Sequence, residues 1–400
     1  MQLRNIKKIK KNINTELEDR VNKQKKNYYL ELKSYNINYL ENEKYIKGNQ
    51  SLEIEDVYNI ENRSKMLFTN IEEKYIKGSN RDDINILSCI KFEYNNFKRC
   101  TFKDVIFKDC IFKGNIFSKC IFENVLFENC SFYKSEEGNI FSEACIFTQI
   151  IFKNCNLKNI IIKDAIVKKS KFIETILENA IFRNIDIDNI QISDCDCRGL
   201  KVIDSYIENL KFEDAKLTKL DEFTFIDTIK LDNRYRISYE EVSKVYNNIA
   251  KKMKENNLID FASEYSYLSK CIEHKSLTGL DKVKSSIYWL LCGYGERPTY
   301  ALITSIEIIL GFAILYMFTG LSINGVDIKY VEVLSKGFPI ENLISDFINS
   351  LYFSIVTFTT VGYGDITPIN VSVFLSGVEM FLGLTMTGIW TATLARKITR

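Results

Sequence analysis

Residues 97–132 read FKRCTFKDVIFKDCIFKGNIFSKCIFENVLFENCSF, with phenylalanine at every fifth position from Phe97 to Phe132. The frame holds outward in both directions. Leu87 and Phe92 precede it; Phe147, Phe152, Leu157, Ile162, Val167, Phe172, Leu177, Phe182, Ile187, Ile192, Cys197, Val202, Ile207, Phe212 and Leu217 follow. Glu137 and Ser142 break the frame inside a polar stretch, 133–143, which is expected to be a loop bulging from the stack. A period of five fits neither the helix (3.6) nor the flat strand (2.0). A fixed period of this kind marks a solenoid, in which each turn buries its apolar face against the next.

Two residues before each large apolar position stands a smaller one: Cys100, Val105, Cys110, Cys120, Val125, Cys130, then Cys145, Cys155, Ala165, Ser170, Thr175 and Ala180. This slot also accounts for most of the 11 cysteines. The chain has one histidine, His274, far from them, and no CxxC pair, so a zinc site has no ligand set. A buried free cysteine behaves as a small hydrophobe, and core packing is the expected role. The stretch resembles the pentapeptide-repeat family. That resemblance implies a right-handed quadrilateral β-helix over 87–220, with four five-residue sides per coil. Six coils at the strand spacing of ~4.8 Å would stand roughly 30 Å tall. Some members of that family match DNA in shape and acidity and bind topoisomerases; the charges on this repeat nearly cancel, and no nucleic-acid partner is expected.

The whole chain of 400 residues is close to neutral, with Lys+Arg 54 against Asp+Glu 52, and long enough for several domains. Residues 1–86 are Lys- and Asn-rich and are expected to form a helical region. Ile6, Ile9, Ile13, Leu17 and Val21 follow helical spacing. Lys7, Lys8, Lys10 and Lys11 beside them read as a solvated face or as a contact with anionic lipid. No apolar run follows the basic start, so no cleavable signal peptide is expected. The linker 221–296 reads as a helical hairpin at 238–277, turning at Asn256-Asn257, and then a helix at 280–291. Ser238 with Glu241 is a candidate capping box. Lys282, Lys284 and Trp289 suit a helix lying at the membrane interface.

The second decisive stretch is Thr360-Val361-Gly362-Tyr363-Gly364-Asp365. Glycines at alternate positions take positive φ at no steric cost, so successive carbonyls can point toward one axis. Residues 346–359 before it, DFINSLYFSIVTFT, are apolar and long enough for a short helix capped by Ser345 or Asp346. Apolar segments at 299–321 and 369–395 flank the pair, each meeting the ~20 residues needed to cross a bilayer.

TVGYGD resembles a potassium selectivity filter, in which rings of backbone carbonyls replace the hydration shell of the ion. The stretch 297–400 resembles the two-transmembrane potassium channels of bacteria, an all-α pore domain. The resemblance implies a homotetramer in a bacterial plasma membrane, multi-pass, with pore helix 346–359 and filter 360–365. It implies that Thr360, Val361, Gly362 and Tyr363 hold K⁺, supported by Gly364, Asp365, Tyr352, Phe353 and Thr357. Asp365 would bond Tyr352 or a water, since Val356 is apolar where some relatives carry a carboxylate. Gly383 resembles the hinge glycine of an inner helix, with close helix packing as the alternative. Thr387 and Thr391 would line the cavity.

Glu307 and Glu379 fall at membrane depth, where a carboxyl must be protonated, paired or water-facing. Glu379 is expected to bond the back of a pore helix in protonated form. Lys282, Lys284 and Arg297 before the first span, and Arg396, Lys397 and Arg400 after the second, place both termini in the cytoplasm. The function expected is passive conduction of K⁺, gated through the cytosolic part with an unidentified partner or ligand. The alternative is a membrane-anchored scaffold with a silent pore. No catalytic constellation is present, and neither enzyme activity nor a cofactor is expected.

Overall fold

The computed structural model describes residues 6–34, 44–47, 51–53, 65–67, 69–77, 85–132, 139–231, 239–323, 325–330 and 343–398. The chain divides into two compact units, Met1–Ser276 and Leu277–Arg400.

The first unit is built on a β-solenoid. Its strands are mostly three residues long, and each pairs in parallel with the strand one coil on: Phe97 lies opposite Phe117, Phe102 opposite Phe122, and Phe107 opposite Phe127. After each short strand the backbone turns left-handed at a corner, as at Arg99, Asp104, Asp109, Gly114, Lys119, Asn124 and Asn129. A left-handed residue costs roughly 1–2 kcal/mol unless it is Gly, Asn or Asp, which is why those types recur at the corner. The corner N–H groups stay satisfied, with Asp104 and Asp109 donating to the Glu123 and Glu128 carbonyls of the next coil at 3.0 Å.

Inside, the phenylalanines form near-parallel columns. Phe107, Phe127, Phe152 and Phe172 stack with ring centroids 4.9, 4.9 and 5.2 Å apart. The small slot does more than fill space. The Cys110, Cys120 and Cys130 thiols each reach the carbonyl of Leu87, Phe97 or Phe107 one coil below at 3.3 Å. The Thr175 hydroxyl donates to the Phe152 carbonyl in the same way. Burial pushes the Cys195 thiol up to about 12. Deprotonation there is suppressed, which fits packing and not reactivity.

Two sequence expectations are corrected. Residues 1–86 are not simply helical, because the nine-stranded side of the solenoid begins at Lys44–Lys47 and ends at Phe225–Ile226. Ile71 already pairs opposite Phe97. The five-residue frame is unreadable there because the early strands are spaced irregularly. Of the bulge expected at 133–143, residues 133–138 lie outside the described residues. Asn139–Glu143 is a strand that rejoins the ladder between Phe117 and Ile162, with a register shift at Ile140/Ser142.

Helix α1 (Ile6–Ser34) lies on the outside of the solenoid, where Ile13 and Leu17 are buried with Ile161, Ile181 and Ile203. Its Lys10 pairs with Asp204 and Asp227, and Lys201 pairs with Glu16. The basic face therefore serves the solenoid at Lys10, while Lys8 and Lys11 remain exposed.

Helices α2 (Tyr239–Glu255) and α3 (Ile259–Ser276) form the expected hairpin; Ser238 lies outside the described residues. The hairpin closes the last coil. Ile229 N–H donates to the Tyr246 hydroxyl at 2.7 Å, and Tyr265 bonds both N–H and C=O of Ile226. The Asn256 side chain takes Leu220 N–H and gives to Thr218 O.

The second unit holds α4 (Gly279–Cys292), α5 (Pro298–Thr319), α6 (Leu343–Phe358) and α7 (Val371–Ile398). Leu280, Val283 and Tyr288 leave an exposed apolar surface on α4. The Thr304 hydroxyl of α5 donates to the Leu290 carbonyl of α4 at 2.8 Å. Pro298–Thr319 and Val371–Ala395 are each long and apolar enough to cross a bilayer.

The contact between Lys252 on α2 and Asp214 on the last coil, at 2.6 Å, is buried. Burial would raise the Asp214 carboxyl, but Lys252, the Thr218 hydroxyl and the N–H groups of Thr218 and Asp194 hold it at about 2. Its stabilising effect is present above the ordinary carboxylate value and lost as pH falls through the folded one. Circular dichroism of the whole protein should therefore show solenoid unfolding grow easier from about pH 4 downward. The Asp214→Asn protein should be less stable at neutral pH and show a flatter acid dependence; equal slopes would remove this pair from the account.

Candidate functional site: the segment after a short apolar helix

Helix α6 begins three residues before the expected start. Asp346 therefore sits inside its first turn and not at a cap, and its carboxylate accepts the Tyr330 hydroxyl at 2.6 Å. At the other end the helix runs directly into the TVGYGD segment. Thr360 N–H donates to Thr357 O at 3.0 Å and Val361 N–H to Val356 O at 3.0 Å. These bonds anchor the non-helical backbone to the last turn of α6.

Thr360, Gly362 and Gly364 have φ of +58°, +58° and +80°, while Val361 and Tyr363 do not enter the left-handed region. Alternation of hand along a backbone turns consecutive carbonyls toward the same side. That is the geometry an ion-coordinating row requires. The glycines are needed for conformation here, and Thr360 carries the one strained residue of the set. Val361 is 53% and Tyr363 71% exposed in a single chain.

Immediately downstream, Ile366–Pro368 forms a strand. It pairs antiparallel with Leu321–Ile323, which in turn pairs with Val326–Ile328. This three-stranded patch, unforeseen in the sequence, ties the exit of α5 to the exit of the TVGYGD segment. Ile323 lies opposite Ile366, the residue after Asp365. The Thr319 and Ser372 hydroxyls, 2.6 Å apart, join the end of α5 to the start of α7 beside it.

The supporting residues divide into two groups. Tyr352 stands beside Asp365. Phe353 turns the other way and is buried edge-on against Tyr316, with ring centroids 4.9 Å apart, in a cluster with Leu321 and Ile366. Neighbouring helical positions point about 100° apart, so one cannot back the segment where the other does. Thr357 is buried in the last turn of α6.

Gly383 is a close-packing position: a Cβ there would stand 1.9 Å from the Phe358 carbonyl oxygen at the end of α6. Helix α7 runs unbroken through it. Thr387 and Thr391 are exposed, each hydroxyl donating to the carbonyl four residues back.

Glu307 is exposed on α5. Glu379 is fully buried. Its carboxyl meets the Tyr316 hydroxyl of α5 at 2.6 Å and the Ser354 hydroxyl of α6. Tyr316 and Ser354 went unnoticed in the sequence. The available signal was general: a carboxyl at membrane depth needs polar partners on the helices around it.

Two family models match separate parts of the chain. An ion channel domain model matches residues 328–400, and a pentapeptide-repeat model of nine copies matches residues 97–135. Protein LctB of Geobacillus stearothermophilus is 37% identical over 78 residues, 20% of this chain and 54% of that protein. The chain thus spans about half the length of that relative. Among solved structures, the plasmid-mediated fluoroquinolone resistance protein QnrB1 aligns over 43% of this chain and 90% of its own, at 18% identity and a TM-score of 0.20. HetL, a pentapeptide-repeat protein involved in heterocyst differentiation regulation in the cyanobacterium Nostoc, aligns over 39% and 64%, at 11% identity and a TM-score of 0.18.

Packing at Gly383 gives a direct check. Gly383→Ala must displace backbone, at a cost of about 1–3 kcal/mol or more. Gly311→Ala on α5 meets no atom within 4 Å. The thermal unfolding midpoint of the detergent-solubilised protein should therefore drop for Gly383→Ala and hold or rise for Gly311→Ala, where the helix only gains from a Cβ. Equal midpoints would contradict the packing.

Proposed function

From a C-terminal ion channel domain behind a pentapeptide-repeat solenoid, we propose that this membrane protein is one subunit of a potassium-selective channel. The observation that carries the reading is the alternating left-handed backbone at Thr360, Gly362 and Gly364 in TVGYGD, placed directly after α6 and between two membrane-length helices. Carbonyls of Thr360, Val361, Gly362 and Tyr363 would replace the water shell of K⁺. One chain supplies one row of carbonyls, so a ring needs several chains, and the resemblance to potassium channels implies four around one axis. The exposure of Val361 and Tyr363 in a single chain is what neighbouring subunits would cover. Basic residues flanking both spans support cytoplasmic termini in the plasma membrane. Thr387 and Thr391 would face the cavity. Bending of the inner helix at Gly383 would have to pull it off the Phe358 carbonyl, which links any gate to the filter.

The protein reconstituted in K⁺-loaded liposomes should release K⁺ and retain Na⁺. Gly362→Ala, which puts a Cβ on a residue at φ +58°, should abolish that flux while leaving particle size unchanged. Equal K⁺ and Na⁺ release would count against the filter, and no flux at all would favour the scaffold reading.

The solenoid and its hairpin are assigned the control of gating. A chain shortened to begin at Leu277, the start of the second unit, should still assemble and select K⁺ with an altered open probability. Unchanged gating would reassign the first unit to assembly or targeting.

A further inference from the structure

The carboxyl of Glu379 is fully buried within a single chain, so its surroundings do not depend on neighbouring subunits. Three helices meet there. Tyr316 of α5 approaches Oε2 at 2.6 Å, and Ser354 of α6 approaches Oε1. The Ser354 hydroxyl also lies 2.9 Å from the Ile309 carbonyl of α5. No cationic side chain pairs with Glu379 among the described residues.

The number of protons decides its state. Tyr316 has one hydroxyl proton, and it goes to Oε2. Ser354 has one hydroxyl proton and two close oxygens. The Ile309 carbonyl can only accept. If Ser354 gives its proton to an ionised Glu379, the 2.9 Å contact with Ile309 becomes one between two acceptors, and a buried charge is left without a counter-ion. If Ser354 gives its proton to Ile309, the remaining contact needs a proton from Glu379. Only this second arrangement makes every close oxygen pair a hydrogen bond: Tyr316 to Oε2, Glu379 Oε1–H to Ser354, and Ser354 to Ile309.

We propose that Glu379 stands as a neutral acid and acts as a positioning residue, a hydrogen-bonded brace holding the short helix α6 to both spanning helices. Ser354 lies six positions before Thr360, so α6 transmits this position to the filter. Gly383, one turn beyond Glu379 on α7, touches the carbonyl of Phe358 on the same short helix. The inner helix therefore holds α6 at two levels, one by hydrogen bonds and one by contact. The effect on the filter rests on the conduction reading; the protonation state does not.

The test uses the full chain in nanodiscs and liposomes at neutral pH. The infrared difference between wild type and Glu379→Gln should show loss of a neutral carboxylic acid C=O band. Loss of carboxylate bands alone would overturn the assignment, whether or not the protein conducts. Gln keeps one donor and one acceptor in place, so Glu379→Gln should hold sustained K⁺ current within about twofold of wild type. Glu379→Ala should speed the decay of that current about tenfold, the size of one lost buried bond. If Glu379→Ala does not assemble, Ser354→Ala and Tyr316→Phe serve instead and should shift the decay the same way. A Gln variant as impaired as the Ala variant, or truncations with unchanged decay, would overturn the brace. Absence of current in wild type would sink the conduction reading alone, with the infrared band still deciding the state of Glu379.

Discussion

A backbone without regular hydrogen bonds cannot stand in hydrocarbon unless protein surrounds it or it lines water. The segment 359–365 is such a backbone, and the second unit is organised around holding it. Its first N–H groups are taken by the last turn of α6. Its far end passes at once into a strand paired with the chain leaving α5. Helix α6 is fixed at its start by Tyr330 on Asp346, at its middle by Ser354 and Glu379, and at its end by the bare backbone of Gly383. The N–H groups of Thr359, Thr360, Val361 and Gly362 are thus taken by α6.

The first unit meets the same demand for backbone satisfaction by stacking. Each coil donates to the next, and left-handed corners every five residues let the chain turn without losing a bond. A solenoid of this kind leaves an open edge at its end, where unpaired N–H and C=O groups invite association. Here the α2–α3 hairpin takes those groups with Tyr246, Tyr265 and Asn256. Helix α1 covers an apolar row on another side. The Asp214–Lys252 pair belongs to this closure.

Much of this architecture was legible because it rests on short-range periodicity. The five-residue frame names the inward phenylalanines, and the alternation of glycine in TVGYGD names the strained backbone. The hairpin at 238–277 follows from helical spacing around Asn256-Asn257. What could not be read depends on contacts distant in sequence. The early coils pair correctly, as at Ile71 with Phe97, although their spacing is irregular. The patch joining Leu321–Ile323 to Ile366–Pro368 unites segments over 40 positions apart, each too short to announce a strand. The resemblance places Phe353 behind the filter with Tyr352, yet one helical step turns it to Tyr316. Gly383 illustrates a residue type with two physical uses, and only the position of the Phe358 carbonyl separates them.

The central claim is that the backbone at 360–363 selects K⁺, and the reversal potential of reconstituted protein tests it most directly. With K⁺ on one side of a planar bilayer and Na⁺ on the other, current should reverse near the K⁺ equilibrium potential. It should move by about 59 mV for each tenfold change in K⁺, the value for one charge. A reversal potential near zero under the same gradient would mean that both ions pass alike, and would contradict the account.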